Sequence, residues 1–356
     1  MRTSRPVLLT ALAVVTALGL GACGSGTPPA SPTTGSTPGA GSATGAGQAV
    51  VLYSGRSKDL IQPVLDAFTT RTGITVQVRY AGTAELAAQL LDEGENSPAD
   101  AFLSQDAGAL GALAAANRLE PLPRELLDRV DARFRAADGS WVGVSGRARV
   151  IAYDPRAVPA GRVPTSVFQL TDPAWKGKVA IAPTNASFQS FVTAMRVISG
   201  EERTREWLRA LAANEPVIYE GNGEILKAVD AGRVPLGLIN HYYWFELAAE
   251  EGVEVVNAEI GWLAAGDPGA LVNVAGIGVL RGADGAEPAR RLVDHLLGAE
   301  AQRHFAEKTA EYPLIAQVPP SADLPPLAQV SGPRVDLSRL DDLATTQAML
   351  ADAGLT

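Results

Sequence analysis

"RVPLGLINHYYWFELAAEEG", residues 233–252, changes its period in the middle. The apolar run from Val234 to Ile239 reads as a buried strand, and from Asn240 the pattern turns helical until Gly252 closes it. A strand that hands over directly to a helix is one step of an α/β fold. The junction carries His241, Tyr242, Tyr243 and Trp244 in succession, in a chain with seven tyrosines and three histidines. Along a regular strand Tyr242 and Tyr243 would point to opposite faces. At a helix start, adjacent side chains splay by roughly 100°, so two phenol oxygens could converge on one object.

The same step recurs on the N-terminal side. "AVVLYS" reads as a buried strand and "SKDLIQPVLDAFTTRTG" as a helix with Leu60, Ile61, Val64, Leu65 and Phe68 on one face, closed by Gly73. "ITVQVRY" alternates as a strand, "TAELAAQLLDEG" is a helix ending at Gly94, "ADAFLS" is strand-like and "DAGALGALAAANR" helical. "GVSGRARVIAYDP" gives a strand region ending at Pro155, "KGKVAIAPTNASFQSFVTAMRVISG" a strand feeding a helix, and "AEPARRLVDHLLGAEAQRHFAEKT" a helical tail. No internal repeat is present. Strand then helix, repeated, predicts an α/β sheet of mainly parallel strands. In such sheets ligands sit beyond the carboxyl ends of the strands. Four turns there carry suitable groups: Tyr53 to Ser57, Ser104 to Asp106, Pro183 to Ser187, and Asn240 to Tyr243.

The opening "MRTSRPVLLTALAVVTALGLGAC" has a basic start at Arg2 and Arg5, an apolar run, and small residues before Cys23, the pattern of a secretory signal. Leu20 to Cys23 resembles the lipobox of bacterial lipoproteins, so a signal is expected over 1–22 and a lipid anchor at Cys23, the single cysteine. Residues 23–49 continue in small residues, Pro and Gly that cannot bury enough apolar surface to fold, and read as a tether. About 300 residues remain, more than one core usually holds, so two lobes are expected. The formal net charge is −9, and loss of Arg2 and Arg5 with the signal takes it to −11. An acidic chain with no basic run offers little to nucleic acid. A cation is the better match.

Two neighbouring phenols suggest which cation. A free phenol ionises near pH 10, and a bound metal is what would hold two phenolates at neutral pH. An oxygen-preferring trivalent ion such as Fe(III) fits, because softer metals call for Cys or clustered His. The competing reading is that Tyr242, Tyr243 and Trp244 pack a core or stack on an organic ligand. Enzymatic chemistry is disfavoured: no thiol remains beyond Cys23, no H-E-x-x-H occurs, and "GVSGR" lacks the spacing of a nucleophile elbow. His295 and His304 have no candidate nucleophile beside them and are expected on the surface.

From Val50 onward the chain resembles the ferric-ion-binding proteins of ABC iron importers. The likeness lies in "VLYSGR", "TGITV", "EGENSPADAFLSQDAGAL", "WVGVSGRARVIAYD", "DPAWKGKVAIAPT", "INHYYW", "GDPGALVNVAG" and "AEYPL", in family order and spacing. It implies a two-lobed periplasmic-binding-protein type II fold. One lobe would comprise 50–147 and 270–325, the other 148–269 and 326–356, with hinge strands near Val142 to Arg149 and Gly266 to Asn273. It further implies a monomer, extracytoplasmic and lipid-anchored to the cell membrane. Its lobes would close over Fe(III), free or as a chelate, with a small anion such as phosphate, carbonate or citrate, for delivery to an ABC permease. Tyr242 and Tyr243 match the family's metal-binding tyrosines; Arg147, Asn185, Ala186, Asn222 and Asn240 match its anion contacts. Helix-start N–H groups suit the anion role, whereas Asn185 could simply cap a helix and Asn222 and Asn240 could serve turns. Ser57 and Gln105 stand where family members place a His and a Glu ligand. Asp106, Glu224 and His241 are nearby groups that could compensate. An alternative occupant in the same fold is an organic or phosphonate anion gripped by Arg147 and packed against the aromatic cluster.

Overall fold

The computed structural model describes residues 49–321, 323–330 and 332–356. The expected signal, the anchor Cys23 and all of the expected tether but Ala49 lie outside the described residues. Ala49 already opens the first strand.

The first part of the chain folds as β1 (Ala49–Ser54), α1 (Lys58–Thr72), β2 (Thr75–Tyr80), α2 (Thr83–Glu93), β3 (Ala101–Ser104), α3 (Ala107–Ala115) and a short α4 (Arg124–Leu127). It then enters the long strand β4 (Val142–Tyr153). Next come β5 (Val179–Ile181), α5 (Ala186–Ser199), α6 (Glu201–Ala213), β6 (Val217–Ile218), α7 (Asn222–Asp230), β7 (Leu236–Asn240), α8 (Tyr242–Glu251) and β8 (Glu259–Trp262). The chain returns through β9 (Val272–Val279), α9 (Ala286–Leu296), α10 (Ala299–Lys308) and β10 (Tyr312–Pro313) before α11 (Leu327–Val330) and α12 (Leu343–Asp352).

Local chemistry sets many of these boundaries. Helix α1 buries Ile61, Val64, Leu65 and Phe68 and stops at Gly73, whose φ of 72° lets its N–H turn back to the Thr69 carbonyl. Asp106 caps α3 by accepting from Gly108 and Ala109, and Asn185 caps α5 by accepting from Ser187. Gly298 divides the helical tail into α9 and α10.

The sheet runs β2-β1-β3-β9-β4-β7-β5-β6, with β8 and β10 also paired to β4. The expectation of mainly parallel strands is corrected. The flanks are parallel, at β1–β2, β1–β3, β5–β6 and β5–β7. The centre is antiparallel, because β9 comes back from the far half of the chain to run against β3 and β4. A strand–helix pattern read along the chain describes only neighbouring steps, and this return has no crossover helix of its own.

Strand β4 serves both halves. Val142 to Ala148 pair with β9, whereas Arg149 to Tyr153 pair with β7 and β8. Two bodies of apolar packing result. One gathers Leu52, Phe68, Phe102, Trp141 and Ile277. The other lies on the two faces of the second half's strands, with Ile151, Phe188, Phe191 and Trp207 on one side and Val150, Ile225, Val229 and Ile239 on the other. The chain therefore forms an α/β architecture of two lobes that share β4.

Two details differ from expectation. His295 is fully buried and engaged at both ring nitrogens, by Arg71 and by the Val64 carbonyl. His304 is half-buried. The amphipathic spacing of α9 carries His295 inward with Leu292 and Leu296. The C-terminal segment 326–356 also divides: Val330, Leu337 and Leu340 pack in the first core, Met349, Leu350 and Leu355 in the second. Arg196 of α5 pins the crossing, donating 2.7 Å bonds to the Asp342 carbonyl and to its carboxylate.

Where the C-terminal segment crosses α3, a Cβ at Gly108 would stand 2.6 Å from the Leu340 carbonyl oxygen. Gly108→Ala should therefore lower stability by about 1–3 kcal/mol in urea denaturation. Gly161→Ala, where a Cβ meets nothing within 4 Å, should stay within about 0.5 kcal/mol.

Candidate functional site

Strand β7 ends at Asn240, and His241 turns the chain so that Tyr242 and Tyr243 open α8. Their rings stack, with centroids 4.3 Å apart and planes inclined by 26°. Tyr242 is buried at 2% exposure, while Tyr243 is half-buried beside Gly223 at the start of α7. Burial, then the neighbouring Tyr243, hold the Tyr242 phenol well above its ordinary value, with Arg56 and Arg147 pulling the other way. Tyr242 thus keeps its proton until a stronger positive charge arrives.

Three guanidiniums lie around this pair. Arg56, in the turn after β1, sits with its central carbon 5.9 Å from the Tyr242 ring centroid and forms a fully buried 2.8 Å ion pair with Glu311. Burial opposes its charge, yet Glu311 and the two tyrosines outweigh that penalty. Arg147 and Arg149 are alternate residues of β4 and so share one face. They flank the point where β4 passes from one half to the other, opposite Asn273 and Asn240 respectively. Arg147 is 1% exposed and none of its three side-chain nitrogens has a partner among the described residues. Burial and then Arg56 lower its pKa. Arg149 donates at 3.2 Å to the Ser187 carbonyl, but its Nε and Nη2 are likewise unpartnered. Burial takes it down to about 9, so it stays charged at neutral pH.

The other expected residues divide into groups. Asn240 is buried with its amide nitrogen unpartnered, and Asn222 is buried with its amide oxygen unpartnered while its nitrogen donates at 3.1 Å to Ser187 Oγ. Both belong with the arginines. Asn185 spends its oxygen on capping, accepting from the Ser187 N–H at 3.0 Å and its hydroxyl at 2.7 Å, which leaves the half-buried Ala186 at the first turn of α5. Ser57 occupies the N-cap position of α1 without a capping bond and is exposed; Gln105 is half-buried and its backbone N–H donates at 3.1 Å to Thr83 Oγ1. Neither has a described polar bond to the tyrosines.

Of the compensating groups, Glu224 is exposed and accepts from the Glu220 N–H. His241 is committed elsewhere: Nε2 donates at 2.7 Å to the Ala310 carbonyl, so Nδ1 accepts from the Ala148 N–H at 3.2 Å. Both nitrogens are used by a neutral ring, and burial pushes its pKa down to about 4. Asp106 faces inward, accepting at 3.0 Å from Ser190 Oγ, with burial raising its pKa and Arg147 opposing that rise. Arg56, Arg149 and Glu311 were not singled out from the sequence. The i, i+2 spacing in "SGRAR" already placed Arg149 beside Arg147, whereas nothing local to "AEYPL" pointed Glu311 at Tyr242.

The combination can do two things chemically. Phenols, a buried carboxylate and amide oxygens are hard donors suited to a small, highly charged cation. The unpartnered guanidinium and amide N–H groups suit an oxyanion.

The family profile described as bacterial extracellular solute-binding protein matches residues 96–336. The chain belongs to this family. Among relatives of this solute-binding protein, the major ferric iron-binding protein of Neisseria meningitidis serogroup B is 36% identical over 309 residues, covering 86% of this chain and 93% of that one. Iron-bound HitA from Pseudomonas aeruginosa superposes with a TM-score of 0.82 at 33% identity, over 86% of this chain and all of the other. The Trichodesmium protein IdiA (FutA), solved with iron and citrate ligands, gives 0.75 at 29% identity with 86% and 100% coverage. The family binds solutes outside the cytoplasm rather than transforming them, and among the described residues no helix is long and apolar enough to cross a membrane.

His241 supplies a pH test. Its folded value near 4 lies below the unfolded value near 6.5, so the neutral ring stabilises above the latter, and that stability is lost as pH falls from about 6.5 toward 4. Burial and then Glu311 push the neighbouring Glu246 up to about 7, which gives the opposite slope. The difference between wild type and His241→Gln is therefore the readout. Between pH 7.5 and 4.5 wild type should lose about 2–3 kcal/mol more than the variant in urea denaturation; parallel curves would contradict the assignment.

Proposed function

We propose that this protein captures ferric iron, accompanied by an anion, and hands it to an ABC permease. The observation that carries the proposal is the stacked tyrosine pair at the start of α8, set beside the buried guanidiniums of Arg147 and Arg149, which hold nitrogens without a partner among the described residues. Tyr242 and Tyr243 are the metal donors in this account, with Ser57 and Gln105 approaching from the other lobe. Arg147, Arg149, Asn222, Asn240 and the Ala186 N–H take the anion, and Asn185 holds that helix start in shape. Ferric-binding relatives in Neisseria and an iron–citrate complex in Trichodesmium support the same cargo.

Charge counting supports the anion. Arg56, Arg147 and Arg149 outnumber Glu311 and Asp106, and two phenolates reverse that excess. A trivalent ion alone would then leave two positive charges uncompensated in a buried place, which is costly. Phosphate, carbonate or citrate removes them. The guanidinium nitrogens of Arg147 and Arg149 that lack partners among the described residues also favour a second occupant, an organic or phosphonate anion without metal.

The remaining architecture of the proposal follows the family pattern. The lobes are taken as 50–147 with 270–340 and 148–269 with 343–356, hinged where β4 and β9 cross. The protein acts as a monomer tethered through a lipid on Cys23. Closing would be favoured by a cargo that touches both lobes.

Adding Fe(III) with citrate to desalted protein should produce a visible phenolate-to-iron band. Y242F/Y243F should lose the band and weaken iron binding more than about 100-fold. Anion binding with no band would favour the metal-free reading. For the anchor, Cys23→Ala should move the protein from the membrane to the soluble fraction of expressing cells; unchanged fractionation would contradict it.

A further inference from the structure

The tyrosine pair lacks an evident carboxylate partner in the sequence, because Ser57 and Gln105 are neutral. Glu311 fills that role in space. Its side chain is completely buried, its Oε2 accepts from Arg56 at 2.8 Å and from Thr309 Oγ1 at 3.1 Å, and its Oε1 has no partner among the described residues. Buried carboxylate oxygens are rarely left without a donor, since the loss of hydration is not repaid. Its charge acts on both Tyr242 and His241.

The backbone is arranged to deliver it there. Helix α10 ends at Lys308, and Ala310 adopts a φ of 50°, a left-handed conformation that costs a non-glycine residue about 1–2 kcal/mol. The Ala310 carbonyl is held by His241, the residue before the tyrosine pair. Tyr312 then anchors the next step, with its ring 5.2 Å from His241 and its hydroxyl donating at 3.0 Å to the Pro325 carbonyl. Strain that persists because its surroundings fix it is a feature of functional sites. Here it turns Glu311 inward onto Arg56, whose guanidinium lies 5.9 Å from the Tyr242 ring centroid.

We propose that Glu311 is a further donor to the ferric cargo, binding through Oε1 while Arg56 and Thr309 hold Oε2. This inference rests on the ferric reading above. Arg56 orients the carboxylate, and the carboxylate separates the guanidinium from the incoming cation, whose mutual repulsion would otherwise be severe at short range. The donor set then has two phenolates from one lobe and a carboxylate from the other, so the metal itself would bridge the lobes.

The test uses the mature protein loaded with Fe(III) and citrate, followed by its visible spectrum and by competition with a chelator. Glu311→Gln should keep a phenolate–iron band, because the tyrosines remain, but with its maximum displaced and affinity lowered at least about 10-fold. If that variant fails to fold, R56Q/E311Q removes both members of the buried ion pair together, so that neither is left without the other, and should also show a displaced maximum. A band at the wild-type position in either folded variant overturns the proposal and reduces Glu311 to a counter-ion of Arg56. Absence of any band in wild type overturns the ferric reading together with this one, whereas a wild-type band lost only in Y242F/Y243F and indifferent to Glu311 overturns this one alone.

Discussion

Arg147 is the group on which the site depends most directly: a guanidinium at 1% exposure, with no hydrogen-bond partner for any of its nitrogens among the described residues. A charge held that way is expensive unless something negative stands near. Asp106, Glu311 and the potential phenolate of Tyr242 are the negative groups within its reach. The fold creates this situation by running one strand through both lobes. Because β4 alternates its side chains, Arg147 and Arg149 must emerge together where the two halves meet. The strand shared by the two halves and the charge cluster are the same piece of backbone.

The Tyr242 phenol responds to that field but does not yield to it. Burial outweighs the attraction of Arg56 and Arg147, so Tyr242 remains protonated without a cargo. This ordering matters for a carrier. A site that ionised on its own would attract any cation, whereas one that ionises only against a high charge density selects for it. Neutral His241 contributes by rigidity, tying the start of α8 to β4 through Ala148 and to the α10–β10 turn through Ala310. An imidazolium there would add a positive charge next to the tyrosine pair, and burial prevents it.

Much of this was legible in the sequence, for identifiable reasons. The strand-to-helix changes at Ser54, Ser104 and Asn240 are abrupt changes of period, so the βα steps and the position of the tyrosines could be read locally. The antiparallel return of β9 could not, since pairing between Phe102 and Gly278 leaves no trace in either segment. The same limit hid Glu311, which meets Arg56 across 255 residues of chain. His295 misled because a single polar residue on an apolar helix face resembles a boundary, and only packing against Phe68 and the Val64 carbonyl shows it inside. Asn185 does cap its helix, its oxygen accepting from the Ser187 N–H, and that cap shapes the same turn proposed to face the anion.

The central claim is that a small, triply charged ion is held by the paired phenol oxygens at the start of α8. Anomalous diffraction at the iron edge, from crystals of protein loaded with ferric citrate, tests it most directly. The account predicts one strong peak within bonding distance of both Tyr242 Oη and Tyr243 Oη. A peak elsewhere, or anion density against Arg147 and Arg149 with no iron beside the tyrosines, would contradict it.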